Sequence, residues 1–245
     1  MTEHRRQRPR LILAGSNREI EYDDKLGLWG AVGTDHLATA KQPWREFAAT
    51  NPGPEDRVLD LGGHIGSFTK FCHDRCAKSI TVVEAAPDNF EVLELNVGSL
   101  DGVTVMNRAV VGDGHVGETV SFYLTRGHEK NGSCMGSLVP LRGRREITVQ
   151  AVRLSDLIRT VMPTIIKCDV EGSEYGLDFR GLPECVRSIG MEIHFTRDEY
   201  RDVQAPALIK TLTDQGFAAI AGDRVIMERV PRFGTKWGAC AVFSR

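Results

Sequence analysis

The chain has 245 residues, of which 41% are hydrophobic and 26% charged, and its formal net charge is −2 at pH 7. This length suits one α/β domain with a sizeable core, and the near-neutral charge argues against a nucleic-acid partner, which normally meets a basic surface. Six cysteines form neither a C-x-x-C pair nor a zinc-ligand spacing. With no signal peptide and no apolar segment long enough to cross a bilayer, we expect a cytoplasmic protein without a membrane partner.

The first 50 residues are predicted to be an N-terminal extension, partly flexible, that precedes a main domain of residues 51–245. Leu11-Ile12-Leu13 predicts a short strand, and apolar anchors follow among glycines and acids. Such additions often cover an active site, so Trp29 and His36 are candidates to line a substrate pocket. Simple packing against the edge of the domain is the alternative.

The stretch from Arg57 to Gly66 organises the rest of the chain. A short apolar run ends in an acidic residue and breaks into glycines, and helical spacing begins at Ser67. Ser79–Glu84 predicts a second buried strand with a carboxylate at its end. Together these segments predict a βαβ unit, whose strand ends form the ligand-binding edge of an open α/β sheet. Glu84 is placed there to accept hydrogen bonds from two ribose hydroxyls.

The order of residues in the glycine turn indicates which nucleotide binds. A dinucleotide fingerprint requires G-x-G-x-x-G, but Leu61 stands at the first of those positions, which argues against a nicotinamide-dependent dehydrogenase. The chain instead has Asp60-x-Gly62-x-x-x-Gly66. A carboxylate there would repel a pyrophosphate but suits a ligand with positive charge, such as S-adenosylmethionine. At these residues the sequence resembles the class I S-adenosylmethionine-dependent methyltransferases.

A second motif narrows the resemblance to one family. Residues 165–174 read IIKCDVEGSE, which is similar to the K-x-D-x-E-G-x-E signature of the FkbM methyltransferases. Val83–Phe90 and Met191–Phe195 also match that family, and the resemblance covers roughly residues 55–222. It implies a Rossmann-like, doubly wound sheet of seven mostly parallel strands. It also implies the cofactor S-adenosylmethionine, with S-adenosylhomocysteine as product.

The cofactor site is expected at the glycine turn, the two following strand ends and the second motif. Its predicted residues are Asp60, Gly62, Gly63, His64, Gly66, Glu84, Ala85, Asn89, Ala109 and Asp169. The resemblance implies that the backbone of Ala109 contacts the adenine.

An insertion is predicted within the main domain. Residues 119–124 and 146–152 alternate in hydrophobicity as an antiparallel β-hairpin, and the long polar loop between them, residues 126–145, is expected to face the substrate. The predicted substrate-binding residues are accordingly Ser133, Met135 and Ser137 of this loop, together with Glu192 and Trp29.

Three residues are candidates for the catalytic base: Asp169, Glu171 and His194. Histidine has a suitable pKa near neutrality, and a carboxylate would have one if burial raised its pKa. A divalent metal held by Asp169, Glu192 and His194 is an open alternative that we do not favour.

We therefore expect an O-methyltransferase that acts on a hydroxyl of a small molecule. The resemblance implies a sugar or a natural-product intermediate as the acceptor. An N-methyltransferase and a non-catalytic S-adenosylmethionine-binding protein of the same fold are the alternatives. The sequence leaves the oligomeric state open, a homodimer included.

Overall fold

The computed structural model describes residues 8–13, 16–41, 45–124, 136–140, 143–195, 197–223 and 238–245. Near the N-terminus, three antiparallel strands form a small sheet in the order β1-β2-β3: Arg10–Ile12 (β1), Glu19–Asp23 (β2) and Leu28–Ala31 (β3). A one-turn helix, His36–Thr39 (α1), follows. Leu26 and Leu28 pack this sheet against Ile65 and Val92 of the main domain.

Seven strands form the central sheet, as predicted. In chain order they are Arg57–Leu61 (β4), Ser79–Glu84 (β5), Val103–Asn107 (β6), Ile165–Cys168 (β10), Ser188–His194 (β11), Ala218–Gly222 (β12) and Gly238–Ser244 (β13). Their spatial order is β12-β13-β11-β10-β4-β5-β6, and β13 runs antiparallel to both of its neighbours while the other pairs are parallel. The doubly wound, mostly parallel α/β fold is confirmed.

Helices cover both faces of this sheet: Ser67–Asp74 (α2), Pro87–Val97 (α3), Leu154–Val161 (α4) and Ala205–Thr213 (α5). Because successive side chains of a strand point to opposite faces, Val58 of β4 packs with Phe68 of α2, whereas Leu59 packs with residues of α4 and α5. Short turns of helix also occur at Ala48–Thr50, Glu174–Gly176 and Tyr200–Gln204. Within the described residues, no helix is both long and apolar enough to cross a membrane.

The predicted hairpin forms a third sheet. Ala109–Val111 (β7), Thr119–Leu124 (β8) and Arg145–Arg153 (β9) lie in the order β7-β9-β8, with β8 and β9 antiparallel. Of the loop between β8 and β9, residues 136–140, 143 and 144 are described. Ser133 and Met135, which the sequence predicts to bind substrate, therefore lie outside the described residues.

Candidate active site

A cavity of about 270 Å³ opens at the C-terminal ends of β4, β5, β10 and β11. This is the edge at which open α/β sheets bind ligands. Ten of the residues predicted from sequence line it: Gly62, Gly63, His64, Glu84, Ala85, Ala109, Asp169, Glu171, Glu192 and His194. The main part of the predicted site is therefore brought together in one place.

The glycine turn forms the floor of the cavity, and Gly62 and Gly63 in this turn have no room for a side chain. Gly62 has φ +79°, and a Cβ on it would lie 1.8 Å from the backbone oxygen of Asp169. A Cβ on Gly63 would lie 2.2 Å from the side chain of Val82. Gly66, with φ +90°, is not among the lining residues; it precedes α2 and packs against Val97. Its role is to turn the chain into the helix.

Glu84 ends β5 with a buried carboxylate that faces the cavity. Its Oε2 accepts a hydrogen bond from the backbone N–H of His64 at 2.8 Å, and its Oε1 accepts one from that of Ala86 at 2.8 Å. Burial raises the pKa of Glu84 to about 7, although these two hydrogen bonds oppose the rise. The carboxyl is therefore held in place and titrates near neutrality.

Asn89 and His36 lie behind Glu84 rather than in the cavity. The amide of Asn89 donates to Glu84 Oε1 at 3.5 Å, and its Oδ1 lies 3.2 Å from Nε2 of His36. Both side chains are almost fully buried. The sequence predicted direct contacts of Asn89 with cofactor and of His36 with substrate; in the structure neither side chain lines the cavity, because Asn89 contacts Glu84 and His36 contacts Asn89.

Asp60 does not face the cavity, which corrects its predicted role beside a positively charged ligand. Its side chain is fully buried on the α2 face of β4, where Oδ2 accepts a hydrogen bond from the Thr69 hydroxyl at 2.8 Å. Its Oδ1 lies 3.4 Å from Nζ of Lys167. Because Lys167 stands opposite Asp60 in the register of β4 and β10, the two charges pair with each other inside the protein.

Trp29 is likewise absent from the residues that line the cavity. Its ring lies 5.1 Å from that of Tyr22, its cross-strand neighbour in the N-terminal sheet. Its backbone N–H donates to Asn96 Oδ1 at 2.8 Å. The extension instead contributes Thr39 and Glu46 to the cavity.

Ser137 ties the hairpin loop to the second motif instead of lining the cavity. Its hydroxyl donates to the backbone oxygen of Glu171 at 2.6 Å, and Ser173 Oγ accepts a hydrogen bond from the backbone N–H of Leu138 at 3.0 Å. Ser137 is fully buried, so its predicted substrate contact is not supported. Phe122 of β8 does line the cavity, so the insertion contributes an aromatic wall that the sequence did not indicate.

His194 lies among three carboxylates. Its Nε2 is 3.4 Å from Glu171 Oε2 and 3.7 Å from Glu192 Oε1, and its Nδ1 is 3.4 Å from Glu174 Oε1. Burial lowers the pKa of His194, but Glu171 and Glu174 outweigh burial and raise it well above the usual range. These carboxylates therefore favour the imidazolium form of the ring, which has no lone pair with which to accept a proton.

Glu192 is a second carboxyl of the cavity whose pKa lies near neutrality, and in the spatial order of the strands that form the cavity it lies at the opposite end from Glu84. Burial and the nearby charge of Asp169 raise the pKa of Glu192 to about 8, while His194 partly offsets them and Glu171 adds to them. Glu46, from the N-terminal extension, also lies in the cavity, and its pKa is raised by burial and by Asp169. This acidic end of the cavity is brought together by residues from distant parts of the chain.

The structure places possible metal ligands near the cavity in two separate groups. Ligand atoms of Asp169, Glu171 and His194 lie within 4.8 Å of one another, and so do those of Glu46, Glu192 and Cys240. The suggested set of Asp169, Glu192 and His194 is thus divided between them. A metal requires neutral imidazole, so the ion pairs that keep His194 protonated compete with metal binding.

The methyltransferase FkbM domain matches residues 60–218, more than half of the chain. The chain belongs to the FkbM methyltransferase family. This FkbM protein is therefore an S-adenosylmethionine-dependent methyltransferase, as the sequence predicted. No curated protein matches it.

Solved structures of methyltransferases are similar to this FkbM protein at low identity. They include the ribosomal protein L11 methylase of Lactobacillus delbrueckii subsp. bulgaricus, with a TM-score of 0.44, 11% identity, and coverage of 86% of this chain and 79% of that one. Magnesium protoporphyrin IX methyltransferase of Synechocystis PCC 6803 with bound SAM has a TM-score of 0.42 and 11% identity, with coverage of 86% of this chain and 79% of that one. TYW2 of P. horikoshii in complex with MeSAdo has a TM-score of 0.47 and 11% identity, with coverage of 93% of this chain and 70% of that one.

The cavity of the FkbM protein fits its cofactor S-adenosylmethionine. Gly62 and Gly63 line it with bare backbone, since neither position has room for a Cβ, and the Glu84 carboxyl lines the same cavity. Asp169 Oδ1 is buried there without a hydrogen-bond partner among the described residues. A ligand that donates hydrogen bonds and carries positive charge would satisfy both carboxyls.

The affinity of this FkbM protein for S-adenosylmethionine is expected to rise with pH through about 7. Ribose hydroxyls donate to an ionised carboxylate, and the raised pKa means that Glu84 is protonated below about 7 and ionised above it. Affinity should therefore fall by up to about tenfold for each pH unit below the pKa and level off above it. Calorimetric titrations from pH 6 to 9 measure this dependence.

Glu84→Gln provides the test of that assignment, because it removes the titration while keeping the shape of the side chain. Its affinity should be weaker by about 1–3 kcal/mol at pH 8 and should lack the step near pH 7. A step that persists in Glu84→Gln would assign the titration to another group.

Proposed function

We propose that this methyltransferase transfers the methyl group to a hydroxyl oxygen of a small molecule, with a sugar or a natural-product intermediate as the acceptor class. The observation that carries the proposal is the raised pKa of Glu192 within the cavity. A hydroxyl acceptor must lose its proton, and a base works best when its pKa lies near the working pH. A carboxyl that titrates at about 8 meets that requirement.

The proposed roles of the residues follow their positions around the cavity. Bound S-adenosylmethionine supplies a methyl group on a sulfonium, which departs as a neutral thioether. Glu84 accepts hydrogen bonds from the ribose hydroxyls, and the glycine turn allows the cofactor to approach the backbone. Glu192 accepts the proton of the acceptor hydroxyl, and Asp169 orients the reacting groups. Much of the acceleration of a direct displacement comes from such positioning.

His194 is proposed to act on Glu192 rather than on the acceptor. Its imidazolium lies 3.7 Å from the Glu192 carboxyl and lowers the pKa of that carboxyl. Glu171 and Glu174 hold the ring on either side. The proposal therefore assigns the base to Glu192 and gives His194 and Glu171 a positioning role, in place of the direct proton transfer expected from the sequence.

N-methylation is the second candidate, and the acidic end of the cavity favours it in one respect. Glu46, Asp169, Glu171 and Glu192 together would attract a protonated amine. An amine that then loses its proton to water needs no enzyme base, so its turnover at saturating amine should be insensitive to replacement of Glu192, although the KM for the amine should rise. That insensitivity separates the two candidates.

The proposal is tested by incubating the protein with methyl-labelled S-adenosylmethionine and a panel of acceptors. The panel contains sugars and glycosides, hydroxylated polyketides, amines without hydroxyl groups, and a structured RNA. Mass spectrometry locates the label in each product. We expect transfer to the oxygen of a small molecule; transfer to nitrogen would favour the second candidate, and transfer to RNA would contradict the small-molecule acceptor.

A further inference from the structure

Lys167 has a position that its place in the second motif does not explain. It is 2% exposed and lies on β10 beneath the glycine turn. Its Nζ donates to the backbone oxygen of Gly62 at 2.5 Å. The same atom lies 3.4 Å from Asp60 Oδ1 and 3.7 Å from Asp169 Oδ2. One buried ammonium therefore contacts the floor of the cavity and one of its acidic walls.

The charge on Lys167 persists despite burial. Burial lowers the pKa of an amine, but the carboxylates of Asp60 and Asp169 outweigh it and raise the pKa of Lys167 above its usual value. An ammonium has three donors and no acceptor. Those donors face the backbone oxygens of Leu61 and Gly62 and the carboxylates of Asp60 and Asp169, so one charge links the end of β4 to the Asp169 side chain.

Two of those partners belong to the cofactor site, and they pack against each other. A Cβ on Gly62 would meet the backbone oxygen of Asp169, and the backbone N–H of Asp169 donates to the backbone oxygen of Leu61 at 3.1 Å. The ends of β4 and β10 are thus in close contact, and the Lys167 side chain joins them from below. Any shift of its ammonium would move both the turn and the Asp169 carboxylate.

We propose that Lys167 is a positioning residue that fixes the Gly62 carbonyl and the Asp169 carboxylate in the arrangement that receives S-adenosylmethionine. The proposal concerns the cofactor, so it holds whichever acceptor is methylated. The simpler alternative is that Lys167 only neutralises the buried charge of Asp60. In that case Lys167 would contribute to stability and have no effect on the ligand.

The two roles are separated by Lys167→Met and by the double variant that combines Asp60→Asn with Lys167→Met. The single variant leaves a buried carboxylate without its cation, which is strongly destabilising. The double variant removes both charges, and the amide oxygen introduced by Asp60→Asn can still accept the Thr69 hydroxyl. Its thermal stability should therefore return close to that of the wild type, even if the single variant folds poorly.

Calorimetric titrations with S-adenosylmethionine and S-adenosylhomocysteine, well below each unfolding temperature, measure the effect on the site. We expect the double variant to bind both ligands about tenfold or more weakly than the wild type, because the turn and Asp169 have lost their common contact. Lys210→Met is the control: Lys210 is exposed and pairs with Asp214 on α5, so its affinities should be unchanged.

Wild-type affinity of the double variant for both ligands would overturn the proposal and leave Lys167 as the partner of Asp60 alone. A gain in S-adenosylmethionine affinity with no change for S-adenosylhomocysteine would also overturn it. That result would mean that the ammonium acts only by repelling the positive sulfonium. Equal losses for the ligand that carries a sulfonium and for the one that has a neutral thioether are the signature of positioning.

Discussion

Replacing Glu192 with glutamine is expected to lower turnover by about 10²–10⁴-fold, the usual contribution of a general base. The amide keeps the size of the side chain but cannot accept the proton of the acceptor hydroxyl. Affinity for S-adenosylmethionine should change little, since the proposed cofactor contacts are Glu84 and the glycine turn. The measurement is steady-state turnover with the acceptor identified in the labelling panel, beside a calorimetric titration with the cofactor.

The pH profile gives an independent test of the same residue. A carboxyl with a pKa of about 8 is protonated below that pH and ionised above it, so turnover should rise with pH and level off above about 8. Glu192→Gln should lack this rise. Glu94→Gln, an exposed substitution on α3, is the matched control and should keep the wild-type profile. Full activity in Glu192→Gln would remove Glu192 as the base.

Replacing His194 with glutamine should change the pH profile of turnover by changing the pKa of Glu192. The imidazolium lowers the pKa of Glu192, so its removal should move the rise in turnover to higher pH. At high pH the variant should recover much of its activity, because Glu192 is ionised there in either protein. A uniform loss at every pH would instead place His194 in direct contact with the reaction.

The fold and the location of the site were predictable because both follow from local patterns. The acidic ends of two apolar strands and the glycines between them identify the edge of the sheet where ligands bind. The signature around Asp169 adds the neighbouring strand. Glu84, Asp169 and Glu192 were accordingly predicted to share one crevice, and the structure brings them together.

The surroundings of Asp60 and His194 could not be predicted from sequence, because they depend on partners from other segments of the chain. The face on which Asp60 lies follows from the pleat, but its buried cation follows from the register between β4 and β10. A histidine alone has a pKa suited to a base, but Glu171 and Glu174 raise the pKa of His194 well above that range. Glu46 reaches the cavity from the extension, and no local pattern in the sequence indicates that contact.

Lys167 belongs to the signature but had no predicted role, although the sequence around it contains a usable signal. A charged residue between Ile166 and Cys168, within an otherwise apolar run, requires an opposite charge nearby once that run is buried. Asp60 is an acidic residue in the apolar run of another predicted strand. A pairing of those two residues was therefore open to inference, whereas the contact with the Gly62 carbonyl required the structure.

Replacing Gly62 with alanine is expected to lower both stability and cofactor affinity. A φ of +79° strains a residue that has a Cβ, and that atom would lie 1.8 Å from the Asp169 backbone oxygen. Strain at such a position and overpacking each cost about 1–3 kcal/mol, so the free energy of unfolding should fall by about 2–6 kcal/mol. Chemical denaturation measures this loss.

The same substitution should weaken S-adenosylmethionine binding by about tenfold or more, since even about 1.4 kcal/mol of distortion at the site gives that factor. Gly114→Ala is the control, because a Cβ on Gly114 would meet no atom within 4 Å and its φ is not positive; both of its measured quantities should match the wild type. In Gly62→Ala, the clash between the new Cβ and the backbone of Asp169 can be relieved only if the end of β10 moves, and Asp169 would move with it. A Gly62→Ala variant that is destabilised yet binds the cofactor normally would therefore show that the contact between β4 and β10 supports the fold without setting the shape of the site.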